Sequence, residues 1–227
     1  MESHSDASPH RPTRRERFRA LTLEEIKGAA RGQMERAGGA GALSLKALAA
    51  ELGMAHPSLY RYVAGRDELL TALLVEAYTE FADSLEAVVA DRDLTPAEQL
   101  REYAHVYRRW ALTRPAMYEL VFGTPVPGYS APEGSTRPAA RRALVALIVV
   151  LAELGDPTAD RAALRRRAQT MRPTDQDAGP LRLAVQTWSR LHGVLSLELR
   201  GHLSHLVTSP EDFYESEIDL ALRLAAS

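Results

Sequence analysis

An all-α fold is the expectation from three features of this sequence. Apolar residues recur at helical spacing in segment after segment, helix-opening signatures stand ahead of several of them, and no alternating run reads as a β-strand. The chain has 227 residues, 45% of them apolar and 26% charged. That is enough for a core, in one large domain or two small ones. It has no cysteine, so disulfides and thiolate metal sites are excluded. The longest apolar stretch, Ala143 to Ala152, falls short of the roughly 20 residues that span a bilayer. The polar, basic N-terminus lacks the apolar core of a secretory signal. A cytoplasmic protein without a membrane segment is expected.

The net charge of −2 does not suggest a polyanion partner, but its distribution does. Residues 1–66 hold 11 Lys/Arg against 7 Asp/Glu, whereas residues 67–227 hold 17 against 23. A basic N-terminal third on an acidic body fits a small nucleic-acid-binding unit joined to something else.

The elements are expected in the following order. Residues 1–20 are rich in Ser, Pro, His and Arg without apolar periodicity and read as a flexible basic arm. Arg11, Arg14, Arg15, Arg17 and Arg19 would be either solvated or laid along phosphates. Thr22 and Glu25 form a capping-box pattern opening a first helix, with Leu23, Ile26, Ala30, Met34 and Ala37 as its apolar stripe. Gly38 and Gly39 end it. Ser44 is the N-cap of a second helix, in which Leu45, Leu48, Ala49 and Leu52 share one face. Gly53 suits a left-handed stop, and Pro57 suits the first turn of a third helix over 55–63. A long helix follows over 67–90. Thr95, Pro96 and Glu98 open another that runs to about Thr113. Helices are also expected at 117–122, 137–154, around 159–170, at 181–203, and after Ser209. Residues 123–136, rich in Gly and Pro, form a loop, and a polar loop ends near residue 180.

Helix, glycine turn, helix is the layout of a helix-turn-helix DNA reader. On the third helix Leu59 and Val63 should pack inward, leaving His56, Pro57, Ser58, Arg61 and Tyr62 outward. Arg61 can pair bidentately with guanine, Pro57 can touch a thymine methyl, and His56 can donate to a base. The hydroxyls of Ser58, Tyr60 and Tyr62 suit phosphate oxygens, and Arg66 offers another phosphate contact.

Residues 22–70 resemble the DNA-binding domain of the TetR/AcrR family of transcriptional regulators. The likeness is carried by the capped first helix, by Ser44-Leu45-Lys46-Ala47-Leu48-Ala49 with Leu52-Gly53, by Pro57-Ser58-Leu59-Tyr60-Arg61-Tyr62-Val63, and by Arg66-Asp67-Glu68-Leu69-Leu70. Val63 stands where phenylalanine is common and Arg66 where lysine is. The resemblance implies DNA contacts at Ser44, Lys46, His56, Pro57, Ser58, Tyr60, Arg61, Tyr62 and Arg66. The remainder is similar to a C-terminal class named for a Trp-His-Gly signature, here Trp188 with His192-Gly193, and Tyr107 to Phe122 looks like that class as well. It implies a helical effector-binding and dimerisation domain over 67–227, beside a helix-turn-helix domain over 21–66.

Within that body, Tyr107, Trp110, Tyr118, Phe122, Trp188 and His192 are candidates for a pocket taking a small apolar or aromatic effector. Plain core is the competing reading. His202 and His205, with Glu198 one turn before, would be a metal-ligand pair, but a pair does not close a site, and no metal or cofactor is expected. No phosphate loop, catalytic triad or carboxylate pair stands out, so an enzyme is not expected. The reading is a homodimeric transcriptional regulator of pseudo-palindromic operator DNA, more a repressor than an activator. The alternative is a helical small-molecule-binding protein or enzyme with a vestigial helix-turn-helix.

Overall fold

The computed structural model describes residues 13–170 and 179–226. Its α-helices are α1 (Arg14–Ala37), α2 (Leu45–Glu51), α3 (His56–Leu59), α4 (Arg66–Ala90) and α5 (Pro96–Thr113). They continue with α6 (Pro115–Phe122), α7 (Arg137–Gly155), α8 (Arg161–Thr170), α9 (Gly179–Leu199) and α10 (Pro210–Ala225). A single 3-10 turn, Ala40–Ala42, leads into α2, and no strand occurs among the described residues. Two compact units divide between Leu70 and Thr71.

The first unit is a small bundle closed by Ile26, Ala30 and Met34 of α1, Leu48 and Ala49 of α2, and Leu59 and Val63, all buried. Leu69 and Leu70 on the first turn of α4 are buried too. Helices α1 and α2 both end in a left-handed glycine. Gly38 has φ 74° and Gly53 has φ 63°, so each reverses the chain where a side chain would be strained. At the second stop the Met54 N–H donates to Ala49 O at 2.8 Å and the Gly53 N–H to Ala50 O at 3.2 Å, which satisfies the last carbonyls of α2.

Two expectations change here. The first helix starts at Arg14, not after Thr22. Thr13 is its cap, with the Glu16 carboxylate accepting from the Thr13 N–H at 2.7 Å and the Thr13 hydroxyl accepting from the Glu16 N–H at 3.2 Å. Thr22 lies inside the helix, its hydroxyl donating to Phe18 O at 3.1 Å. The arm expected over 1–20 is therefore helical from Arg14 onward. Residues 14–20 are good helix formers with no buried face, so periodicity could not reveal them. Residues 1–12, with Arg11, lie outside the described residues, as do 171–178 of the expected polar loop.

The third helix is also shorter than 55–63. After Leu59 the chain tightens: the Arg61 N–H donates to Ser58 O at 3.2 Å and the Tyr62 N–H to Leu59 O at 2.9 Å. Tyr60, Tyr62 and Val63 are weak helix formers, which suits tighter turns in place of further α-helix.

In the second unit the buried faces of α4, α5, α7, α9 and α10 surround one core. The Thr95 and Glu98 box caps α5 as its sequence predicts, and Ser209 caps α10 through the Asp212 N–H at 3.1 Å. On α4 the inner face ends at Val89, which is buried, while its neighbour Val88 is half-buried. Ion pairs tie the helices at their edges. Arg101 on α5 reaches Glu215 at 2.6 Å and Asp219 at 2.7 Å on α10, and Arg161 on α8 reaches the buried Glu153 of α7 at 2.8 Å. Among the described residues no helix is long and apolar enough to cross a membrane.

Candidate nucleic-acid interface and aromatic cavity

The α2–α3 hairpin separates its residues by role. Leu48, Ala49, Leu59 and Val63 are buried, while Ser44, Lys46, His56, Pro57, Tyr60 and Arg61 are exposed and Ser58 and Tyr62 half-buried. Burying four apolar side chains leaves the polar side of the hairpin facing solvent. The His56 and Tyr60 rings meet edge to face with centroids 5.3 Å apart, which restrains both. Ser44 caps α2, its hydroxyl accepting from the Ala47 N–H at 3.4 Å, while its own N–H donates to the Gln33 amide at 2.8 Å. Arg36 on α1 grips the Glu51 carboxylate with contacts of 2.8 and 3.0 Å, fixing α2 against α1.

Arg66 is arranged differently from the exposed cations. Its guanidinium donates to Leu43 O at 3.0 Å, Ala40 O at 3.1 Å and Gly41 O at 3.2 Å. It thereby ties the 3-10 turn ahead of α2 to the start of α4. No sequence signal forecast this, because carbonyl acceptors carry no residue signature.

The body contains a cavity of about 320 Å³. One wall is aromatic, built from Tyr78 and Phe81 of α4, Tyr103 of α5, Phe122 of α6 and Trp188 of α9. The lining is completed by Ala140, Ala143, Leu144 and Leu147 of α7 and by the half-exposed Val185 of α9. Of the expected pocket residues, Phe122 and Trp188 line this cavity. Tyr107, Trp110, Tyr118 and His192 lie outside its lining and are joined to it through rings. Phe122 touches Tyr118 and His192 with centroids 5.3 Å away in each case, and Phe81 lies 5.0 Å from Tyr107 and 4.8 Å from Trp110. Sequence reading missed Tyr78, Phe81, Tyr103 and the α7 wall as lining. Tyr103, one turn before Tyr107 on α5, was the legible member of that group; the α7 residues look like any buried stripe.

Behind Phe122 is a polar knot. The hydroxyls of Tyr107 and Tyr118 approach His192 Nδ1 at 2.9 and 3.0 Å, and Ser196 Oγ lies 2.9 Å from the Tyr118 hydroxyl. Burial, chiefly, holds the His192 imidazole below its ordinary range, Arg200 adds to this and Glu119 opposes it, so the ring is neutral at pH 7. Burial pushes the Tyr107 and Tyr118 phenols upward. Trp110 Nε1 is buried without a hydrogen-bond partner. Glu198, one turn before the His202 and His205 pair, is held by Arg108 at 2.6 Å, while both histidines are exposed.

A helix-turn-helix bundle with an exposed basic and aromatic face, ahead of a larger helical body, defines a DNA-binding transcriptional regulator. Residues 100–221 match the Tetracyclin repressor-like C-terminal domain, so the chain belongs to the TetR family of transcriptional regulators. It is 35% identical over 203 residues to the HTH-type transcriptional regulators Rv1816 of Mycobacterium tuberculosis H37Rv and Mb1846 of Mycobacterium bovis, covering 83% of this chain and 86% of theirs. Among solved structures it is similar to the regulatory protein SCO4313, with a TM-score of 0.75, 40% identity, and coverage of 93% of this chain and all of that one. A Rhodococcus sp. RHA1 protein of unknown function, 20% identical with a TM-score of 0.67 over 98% of this chain, shares the fold.

Proposed function

We propose that this regulator is a homodimeric repressor that releases operator DNA when a small molecule enters its body. The observation that carries the DNA-reading half is the exposed set Lys46, His56, Pro57, Tyr60 and Arg61 on a hairpin whose inner face is sealed. Arg61 reads a guanine, His56 and Pro57 meet neighbouring base edges, and Ser44, Lys46, Ser58, Tyr60 and Tyr62 hold phosphates. Arg66 supports the turn ahead of α2 and does not itself hold a phosphate. Two copies would read a pseudo-palindrome with half-sites about 34–36 Å or a multiple apart. Support for a second copy comes from the outer faces of α9 and α10, where Leu197, Phe213 and Leu224 are exposed apolar side chains. Effector occupancy biases the dimer between DNA-competent and incompetent states by about 1–3 kcal/mol.

The test is selection of duplexes from a random pool by the full chain, then binding of the enriched duplex and a scrambled one across a salt series. Enrichment of a two-fold-related motif, bound by two protomers, supports the reading. A pool that stays random after repeated rounds rejects it.

A further inference from the structure

The lining of the aromatic cavity constrains its occupant. No lining residue carries a charge at pH 7. The two hydroxyls in the lining already donate to the backbone: Tyr103 to Ala143 O at 3.1 Å and Tyr78 to Val121 O at 3.3 Å. The nearby hydroxyls of Tyr107 and Tyr118 turn to His192 and Ser196 behind Phe122. An ionised group inside would therefore find no counter-ion among the lining residues, and burying it unpaired is costly.

Five of the ten lining residues are aromatic, and Ala140, Ala143, Leu144, Leu147 and Val185 supply the rest. Rings packed against rings in offset or edge-to-face contact favour a flat partner. At interior packing density the 320 Å³ takes about 240 Å³ of ligand, or roughly 12–16 non-hydrogen atoms.

We propose that this cavity binds a neutral, flat, ring-bearing molecule of that size and rejects its carboxylate or ammonium analogues. The proposal rests on the effector reading only for its regulatory consequence; the binding preference stands on the lining.

The test uses fluorene, fluorene-9-carboxylate and bicyclohexyl as probes of the full chain, with thermal unfolding followed by circular dichroism at 222 nm. Fluorene is expected to raise Tm, with the carboxylate bound at least about tenfold more weakly because its charge is buried unpaired. Bicyclohexyl, neutral but not flat, is expected to bind more weakly than fluorene. Ala140→Phe, which fills the space beside α7 from a half-buried position, should abolish the fluorene effect. Should that variant fail to fold, the three probes on the wild-type chain still decide. A carboxylate that binds as tightly as fluorene, or fluorene that leaves Tm unchanged, overturns the charge and size assignment. Equal binding of bicyclohexyl overturns flatness. Fluorene that binds yet leaves affinity for the selected duplex unchanged keeps the cavity assignment and removes the effector reading.

Discussion

Arg61 and Arg66 carry the same charge in opposite settings: one is exposed, the other bonded to three carbonyls. Their alanine variants should therefore fail differently. Arg61→Ala should keep its Tm and lose about 1–3 kcal/mol of affinity at one base position, measured on single-substitution duplexes. Arg66→Ala should lower stability by about 1–3 kcal/mol in denaturant unfolding, because the part-buried carbonyls of Leu43 and Ala40 lose their donor. Its salt slope for DNA should be unchanged; a slope reduced by about 0.9 would make Arg66 a phosphate contact after all. His192 gives a pH dependence. Its folded pKa lies below the ordinary value of about 6.5, so between the two the unfolded chain binds more protons. The stability it contributes is complete above about pH 6.5 and is lost as pH falls through that window. Wild type should lose more Tm than His192→Gln between pH 7.5 and 5.5, and equal losses would remove His192 as the source. At this scale the residue types of the reading face were legible, since exposed positions follow from helical spacing. The tasks of Arg66 and Tyr107 were not, because they depend on acceptors distant in sequence.

At the scale of elements, caps and stops hold the pieces in register. The Gly53 reversal sets the angle between α2 and α3, and at φ 63° a Cβ is strained although nothing crowds it. Gly53→Ala should destabilise by about 1 kcal/mol and lower DNA affinity by tilting α3. Thr95→Ala should cost about 1 kcal/mol in unfolding experiments while leaving DNA affinity intact, since its box serves only the start of α5. Such signals made most helices readable within a residue or two: α4, α5, α6 and α7 begin and end, and α10 begins, close to where their caps, prolines and glycines put them. Helix α9 ends at Leu199, short of the expected 203, because Gly201 at φ 72° turns the chain. The other two exceptions have a common cause. The first two turns of α1 have no buried face, and α3 changes from α-helix to tighter turns with no composition break, so neither leaves a periodic trace.

Over the whole molecule, the charge asymmetry between residues 1–66 and the remainder fits the proposed division of labour between a DNA-reading unit and a body. The family comparison covers the body over 100–221, and the curated relatives span most of the chain. A cavity is harder to foresee than a helix, because it is the space left where α4, α5, α6, α7 and α9 fail to fill one another. Aromatic residues at helical spacing could be named as candidates, but the small residues that open the space, Ala140 and Ala143, are ordinary on a buried helix. The central claim is sequence-specific DNA reading by the exposed face of α2 and α3. Its most direct measurement is the affinity of the full chain for a selected duplex and a scrambled duplex of equal length, for wild type and Arg61→Ala, at one fixed salt concentration. The account predicts a wild-type preference of roughly 10³-fold or more that narrows in the variant at one base position. Equal wild-type affinity for both duplexes would contradict it.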